Sequence, residues 1–189
     1  KNNIKTASSF FIMNVPDNSL GENGKFIFAD CAVVPNPSSE QLADIAIATS
    51  ESAKVILNWE PRVALLSFST HKSASTTETE KVVEALAIIK DKEPSLVVDG
   101  ELQLDAAINS DISNRKIKEN NTLAGRANIL VFPTLDAGNI GYKLVQQLAN
   151  AKAYGPLLQG FKRPVSDLSR GSTVEDIVGV TLIVASQVI

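Results

Sequence analysis

Short apolar runs alternate along the chain with longer segments in which apolar residues recur at helical spacing. The short runs are rich in β-branched and aromatic residues and are bounded by turn-forming residues, so they predict strands. We predict strands over Ser8–Asn14, Lys25–Asp30, Arg62–Phe68, 95–100, Asn128–Pro133 and 153–160. The run Arg62–Phe68 does not alternate between apolar and polar residues, which is typical of a strand covered on both faces.

The longer segments predict helices between these strands. Ser38 and Gln41 fit a capping box at the start of the first helix, which extends to residue 57. Further helices are predicted over 79–92, 101–108, 137–150 and 173–188, and the polar segment 109–125 is predicted to be a flexible excursion. In the last helix, helical spacing collects an apolar face from Val174, Ile177, Val178, Thr181, Leu182 and Ala185.

This alternation of strands and helices predicts an α/β sandwich with a mostly parallel sheet. Ligands of such sheets bind outside the carboxyl ends of the strands, in the loops that lead into helices. On that basis the loops 69–80 and 133–141, together with the stretch 165–180, are the places to look for a binding site.

Composition narrows the classes of function. The 189 residues can bury one core, or one core and part of a second, and the net charge of −3 leaves no basic excess for nucleic acid. A single Cys and a single His predict no disulfide framework and no metal site. No apolar run approaches the length that spans a bilayer, so we expect a cytoplasmic protein without a membrane partner. The chain begins with Lys rather than Met, and we expect it to be the back part of something longer.

The stretch 165–180 combines features that suit an anion. Ser169, Arg170 and Gly171 precede the last helix, whose first turn presents free N–H groups and a partial positive charge. A purely structural interpretation also fits, with a helix cap and a surface ion pair. Two cap pairings are possible, Ser172 with Glu175 or Thr173 with Asp176, and either leaves one acid free for chemistry.

Other chemically capable residues have simpler interpretations. The Gly spacing in TLDAGNIGYKL matches neither a Walker loop nor a Rossmann fingerprint. Asp99 and Glu101 fit a turn acid and an acid at a helix N-terminus. His71 is expected to be solvated, Cys31 to be a buried inert thiol and Trp59 to anchor packing.

Four segments taken together resemble the phosphate acetyltransferase family: SFSTHKSASTTETEKVVEA, DGELQLDAA, LVFPTLDAGNIGYKLVQQLA and GPLLQGFKRPVSDLSRGSTVEDIV. The similarity runs in order from Ser8 to Gln187. It implies an isocitrate/isopropylmalate dehydrogenase-like α/β/α fold of two domains with the active site in the cleft. Residues 1–155 would then form the second domain, and residues 156–189 would return to a first domain that is incomplete here.

The resemblance also implies an activity, the interconversion of acetyl-CoA and phosphate with acetyl phosphate and CoA by direct transfer in a ternary complex. No cofactor would be tightly bound, and the protein would be a homodimer. By analogy Asp176 is the general base for the CoA thiol, Arg170 holds phosphate and Ser169 hydrogen-bonds the developing oxyanion. A further set is expected to bind substrate: Gly138, Asn139, Gly141, Tyr142, Lys143 and Gly171.

Two alternatives stay open at this point. Phosphate butyryltransferase is a close alternative activity, and segments like these occur as non-catalytic regulatory domains at the back of long malic enzymes. One departure from the family pattern is visible, His71-Lys72 where Lys-Gly is expected. With half of the cleft absent, we expect the 189 residues alone to be weakly active or inactive.

Overall fold

The computed structural model describes residues 5–188, and within them the strands form one mixed sheet. The strands are β1 Ser8–Asn14, β2 Lys25–Ala29, β3 Arg62–Leu66, β4 Val97–Leu102, β5 Ile129–Val131, β6 Lys152–Gln159 and β7 Val165–Ser166. Their order across the sheet is β4-β3-β5-β2-β1-β6-β7. The first four in that order are mutually parallel, β1 is antiparallel to both of its neighbours, and β7 is antiparallel to β6. Five strands therefore share one direction, which confirms the mostly parallel sheet.

The helices cover both faces of this sheet. They are α1 Ser39–Leu57, α2 Thr77–Lys92, α3 Leu104–Ile108, α4 Ser110–Lys116, α5 Leu135–Leu148 and α6 Val174–Ser186. One core lies between the sheet and α1, α2 and α6, and a second core lies between the sheet and α3, α4 and α5. The predicted α/β/α sandwich is confirmed.

Alternation along β1 shows how the strands serve both cores. Phe10 and Ile12 pack into the core under α1, whereas Phe11 and Met13 pack into the core under α5. Successive side chains of a strand point to opposite faces, so a strand covered on both sides is apolar at nearly every position. This explains the continuous apolar runs in the sequence.

Several element boundaries differ from the predicted ones. The Ser38–Gln41 capping box is present and starts α1 as expected. The helix predicted over 101–108 is wrong at its start, because residues 101 and 102 extend β4 and α3 begins at Leu104. The flexible excursion is also wrong in part, since α4 occupies its first half behind an Asn109 cap.

Helix α6 packs against the sheet through a different face from the predicted one. Its most buried residue is Val180, which packs into the core under α1 with partly buried Ile183 and Val184 beside it. Val174, on the face predicted to be buried, is 77% exposed, and Ile177, Val178 and Leu182 are exposed as well. The apolar face of α6 is therefore open to solvent within the part of the chain that the structure describes.

Candidate active site

The two acids at the start of α6 have different roles. Thr173 is the N-cap, and its Oγ1 accepts a hydrogen bond from the Asp176 N–H at 3.2 Å. Asp176 completes the capping box, because its Oδ2 accepts from the Thr173 N–H and from the Thr173 hydroxyl, each at 2.8 Å. The structure thus selects the Thr173–Asp176 pairing, and the pairing of Ser172 with Glu175 is wrong.

The surplus acid is therefore Glu175 rather than Asp176. Its Oε1 accepts from the Lys152 Nζ at 2.5 Å, joining α6 to the first residue of β6. The hydrogen bond from Lys152 to Glu175, reinforced by the negative charge of that carboxylate, raises the pKa of Lys152. Both side chains are more than half exposed, so this pair contributes little stability.

Asp176 keeps one carboxylate oxygen for other partners. Both cap hydrogen bonds end on Oδ2, and among residues 5–188 no partner lies within hydrogen-bonding distance of Oδ1. A carboxylate can accept on either oxygen, so capping does not exhaust this group. The predicted general base can hold the helix start with one oxygen and accept a proton on the other.

A cavity of about 350 Å³ is lined by five of the nine residues that were predicted to catalyse or bind substrate. Ser169, Gly171 and Asp176 line one side, and Tyr142 and Lys143 of α5 line the other. It borders the first half of β6 and the second half of α5, so it is not formed by the loops 69–80 and 133–141 that the sheet rule indicated.

Tyr142 forms a fixed part of this cavity. The ring is buried and stacks on Phe11 of β1, with ring centroids 4.2 Å apart and an interplanar angle of 17°. The Lys143 Nζ lies 4.9 Å from the centre of the Tyr142 ring, within reach of a cation–π interaction. Within the described residues Lys143 has no carboxylate partner, which leaves its charge available to an anion.

Ser169 is poised to donate a hydrogen bond. Its Oγ accepts from the Gly171 N–H at 3.3 Å, and no acceptor for its own proton lies within reach among residues 5–188. Arg170 is exposed and does not line the cavity, and the described residues contain no hydrogen-bond or ion-pair partner for its guanidinium. Its place in the predicted catalytic set stays a prediction.

The other predicted binding residues lie on the packed side of α5. A Cβ at Gly138 would collide with the Asp30 carbonyl oxygen, and one at Gly141 would lie 3.1 Å from the Phe132 ring. The Asn139 Nδ2 donates to the Cys31 carbonyl oxygen at 3.0 Å. The structure therefore places these three against the ends of β2 and β5, and their substrate-binding role stays a prediction.

Five cavity residues had no role assigned from the sequence: Phe11, Gln146, Gln147, Ala153 and Gly155. The two glutamines follow Lys143 by three and four positions, which places them on the same face of α5. That spacing is a signal that could have found them. Phe11 and Gly155 come from strands far apart in the sequence, and no local pattern connects them.

A separate polar cluster lies at the carboxyl ends of β3 and β4. The Glu101 side chain is buried, and its Oε1 accepts from the Ser69 hydroxyl and the Lys72 N–H, each at 2.7 Å. The His71 Nε2 lies 3.2 Å from both Asp99 carboxylate oxygens. The interpretation of the two acids as turn and helix-start acids is wrong, because β4 carries both acids beneath this loop. His71 is exposed, as expected, but its ring also contacts Asp99.

Among residues 5–188 no group of His, Cys, Asp and Glu side chains is arranged to hold a metal ion. No helix in that range combines the length and the apolar character needed to cross a membrane.

The chain was compared with known proteins. The model of the family described as phosphate acetyl/butaryl transferase matches residues 1–185. The phosphate acetyltransferase of Acetivibrio thermocellus is 52% identical over 183 residues, which are 97% of this chain and 55% of that protein. The chain thus spans about half the length of the curated relatives it matches.

Solved structures agree with this similarity. A phosphotransacetylase from Streptococcus pyogenes superposes with a TM-score of 0.91 at 44% identity, over 99% of this chain and 55% of that one. A 4-hydroxythreonine-4-phosphate dehydrogenase from Klebsiella pneumoniae has a TM-score of 0.51 at 14% identity, over 93% of this chain and 53% of that one. The second match shows the fold alone, and it agrees with the dehydrogenase-like α/β/α arrangement.

Proposed function

Because the chain belongs to the phosphate acetyl/butaryl transferase family, we propose that it supplies one side of the active site of a phosphate acetyltransferase. The reaction is the transfer of an acetyl group between CoA and phosphate. One observation carries the proposal for the site: Ser169 and Asp176 line one cavity, and Asp176 has an oxygen that its capping bonds leave open.

Direct transfer needs no protein nucleophile. In the direction of acetyl-CoA synthesis, the CoA sulfur forms a bond to the carbonyl carbon of acetyl phosphate, and the bond from that carbon to the phosphate oxygen then breaks. Inorganic phosphate leaves with the electron pair, and the thiol proton passes to Asp176 Oδ1. In water a thiol is less acidic than a carboxylic acid by about 4.6 pKa units, or about 6 kcal/mol, so we propose that proton loss accompanies attack on the carbonyl.

The remaining residues of the site bind the oxyanion, the phosphate group and a part of CoA. Ser169 donates its free hydroxyl proton to the oxyanion that develops on the carbonyl oxygen. The guanidinium of Arg170 presents a planar pair of donors that matches a phosphate group. Lys143 and Tyr142 provide a cation and an aromatic surface on the facing side of the cavity, where we place a part of CoA.

The domain division forms part of the same proposal. Residues 1–155 belong to the second domain of the two-domain fold, and residues 156–189 belong to the first. The exposed apolar face of α6 supports this division, because apolar side chains such as Val174 and Leu182 are stabilised when another surface covers them. We further propose a homodimer that works in the cytoplasm, with CoA as a substrate rather than a bound cofactor.

The experiment uses the complete protein that contains these 189 residues. CoA and acetyl phosphate are mixed with it, and thioester formation is followed with time. We expect transfer, and we expect the Arg170→Ala variant to lose most of it. Arg126→Ala is the control, because Arg126 is exposed like Arg170 but precedes β5 instead of the start of α6. Absence of transfer, or equal loss in both variants, would refute the proposal.

A further inference from the structure

We propose that Phe11 limits the length of the acyl group that this site accepts, so that an acetyl group fits and a butyryl group is disfavoured. The inference rests on the proposed function and deepens it, since the family transfers both kinds of acyl group. The inference concerns the apolar part of the cavity lining, formed by Phe11 and Ala153 and here called the floor. The same cavity contains Ser169 and Asp176.

Most of the residues that line the cavity are polar, and Phe11 and Ala153 form an apolar part of the lining. Ser169 suits the carbonyl oxygen, Asp176 the CoA thiol and Lys143 a charged part of CoA, in keeping with the roles proposed above. The alkyl end of the acyl group carries no charge and makes no hydrogen bonds, so it is more stable against an apolar surface than in water. Phe11 and Ala153 provide that surface in the same cavity, and both belong to the apolar core beneath α5.

The Phe11 ring cannot move aside for a longer chain. On one face it stacks on Tyr142, with 4.2 Å between ring centroids. On another side β6 packs against it so closely that a Cβ on Gly155 would lie 2.7 Å from Phe11 Cδ1 and 2.9 Å from Cγ. Only 4% of the Phe11 surface is exposed. Well-packed interiors resist such displacements, so the ring forms a floor of fixed position.

A floor that cannot move discriminates between acyl groups by their length. One extra methylene in a pocket of fixed shape changes kcat/KM about 10- to 200-fold. Butyryl has two methylenes more than acetyl, and we place the alkyl end of the acyl group against Phe11, with the carbonyl beside Ser169. Removing the Phe11 ring should therefore reduce the preference for acetyl over butyryl groups.

The test compares kcat/KM for butyryl-CoA and acetyl-CoA, with phosphate as acceptor, in the complete protein. We expect Phe11→Ala to raise the butyryl-to-acetyl ratio at least about tenfold. Phe10→Ala is the matched control, because Phe10 is the neighbouring residue of β1 and is also buried, but it packs into the opposite core. It loses a similar amount of packing without changing the cavity, so its ratio should stay unchanged.

Each outcome has a definite meaning. Phe11→Leu, a smaller change, replaces Phe11→Ala if that variant does not fold, and it should raise the ratio in the same direction. Transfer by the unaltered protein with an unchanged ratio in the Phe11 variants would overturn this inference and leave the proposed function standing. So would an equal rise in Phe10→Ala. Absence of any transfer by the unaltered protein would refute the proposed function, and the inference would fall with it.

Discussion

Gly138 lies where α5 comes closest to the end of β2, and its replacement by alanine tests how tightly this contact is packed. The ideal Cβ of an alanine would collide with the Asp30 carbonyl oxygen and would lie 3.2 Å from the Cys31 Sγ. The carbonyl belongs to the backbone and cannot rotate away, so α5 itself must shift. The same helix carries Tyr142 and Lys143 one turn further on, so the shift should reach the cavity.

Two opposing effects determine how much Gly138→Ala changes the free energy of unfolding. Overpacking a tight interior costs about 1–3 kcal/mol, and the upper half of that range applies because the obstacle is backbone. Alanine is a better helix former than glycine by about 1 kcal/mol, which offsets part of the cost. We therefore expect Gly138→Ala to lower the free energy of unfolding by about 1–2 kcal/mol. For a chain of this size that corresponds to a fall in Tm of roughly 2–8 °C.

The assay is urea unfolding followed by circular dichroism, with KM for CoA measured in parallel. Gly171→Ala is the matched control, since the atom closest to a Cβ there is the Ser169 Oγ at 3.9 Å. That variant should change the free energy of unfolding by no more than about 0.5 kcal/mol. A Gly138→Ala variant as stable as the control, with an unchanged KM, would refute the close packing of α5 on β2.

Three further predictions concern the rest of the fold. Glu101→Ala should cost about 3 kcal/mol or more in urea unfolding, because it removes two hydrogen bonds to a buried carboxylate, whereas Glu101→Gln keeps an acceptor oxygen and should cost less; equal costs would contradict this. Lys72 has a φ of 65°, so Lys72→Gly should raise stability by up to about 1 kcal/mol, and a loss of stability would count against strain at this position. Burial, reinforced by the charge of Asp30, raises the pKa of the Cys31 thiol well above its ordinary value of 9.0. The stability that this thiol contributes is thus complete below pH 9 and is lost as the pH rises further, and a Cys31→Ala variant should lack that loss in unfolding measurements from about pH 8 to 10.5.

The sequence predicted the sandwich because the spacing of apolar residues separates strands from helices, although for α6 the same spacing indicated the wrong buried face. The Ser38–Gln41 capping box was also predicted, since only one pairing fits its spacing. At the start of α6 two pairings fit the spacing equally well, and only the backbone geometry selects Thr173 with Asp176. The resemblance to a family gave Asp176 a catalytic role without this information, and the open oxygen makes capping and catalysis compatible.

The remaining errors arise where distant segments meet. Glu101 follows a strand in the sequence like any turn acid, but the loop after β3 folds over it and supplies its hydrogen-bond donors. Gly138 and Tyr142 lie one turn apart on the same face of α5, but that face meets the end of β2 at Gly138 and meets β1 and the cavity at Tyr142. Neither result follows from local pattern, because each depends on which residues another strand brings close.

The central claim is that Asp176 accepts the thiol proton while Glu175 does not. The most direct measurement is kcat for acetyl transfer in the complete protein carrying Asp176→Asn or Glu175→Gln, which remove the same charge from adjacent positions. An Asn carbonyl oxygen can still accept from the Thr173 N–H, so circular dichroism should show α6 intact in both. We predict that Asp176→Asn lowers kcat at least about 10²-fold and that Glu175→Gln leaves it nearly unchanged. Full turnover in Asp176→Asn, or an equal loss in both variants, would contradict the account.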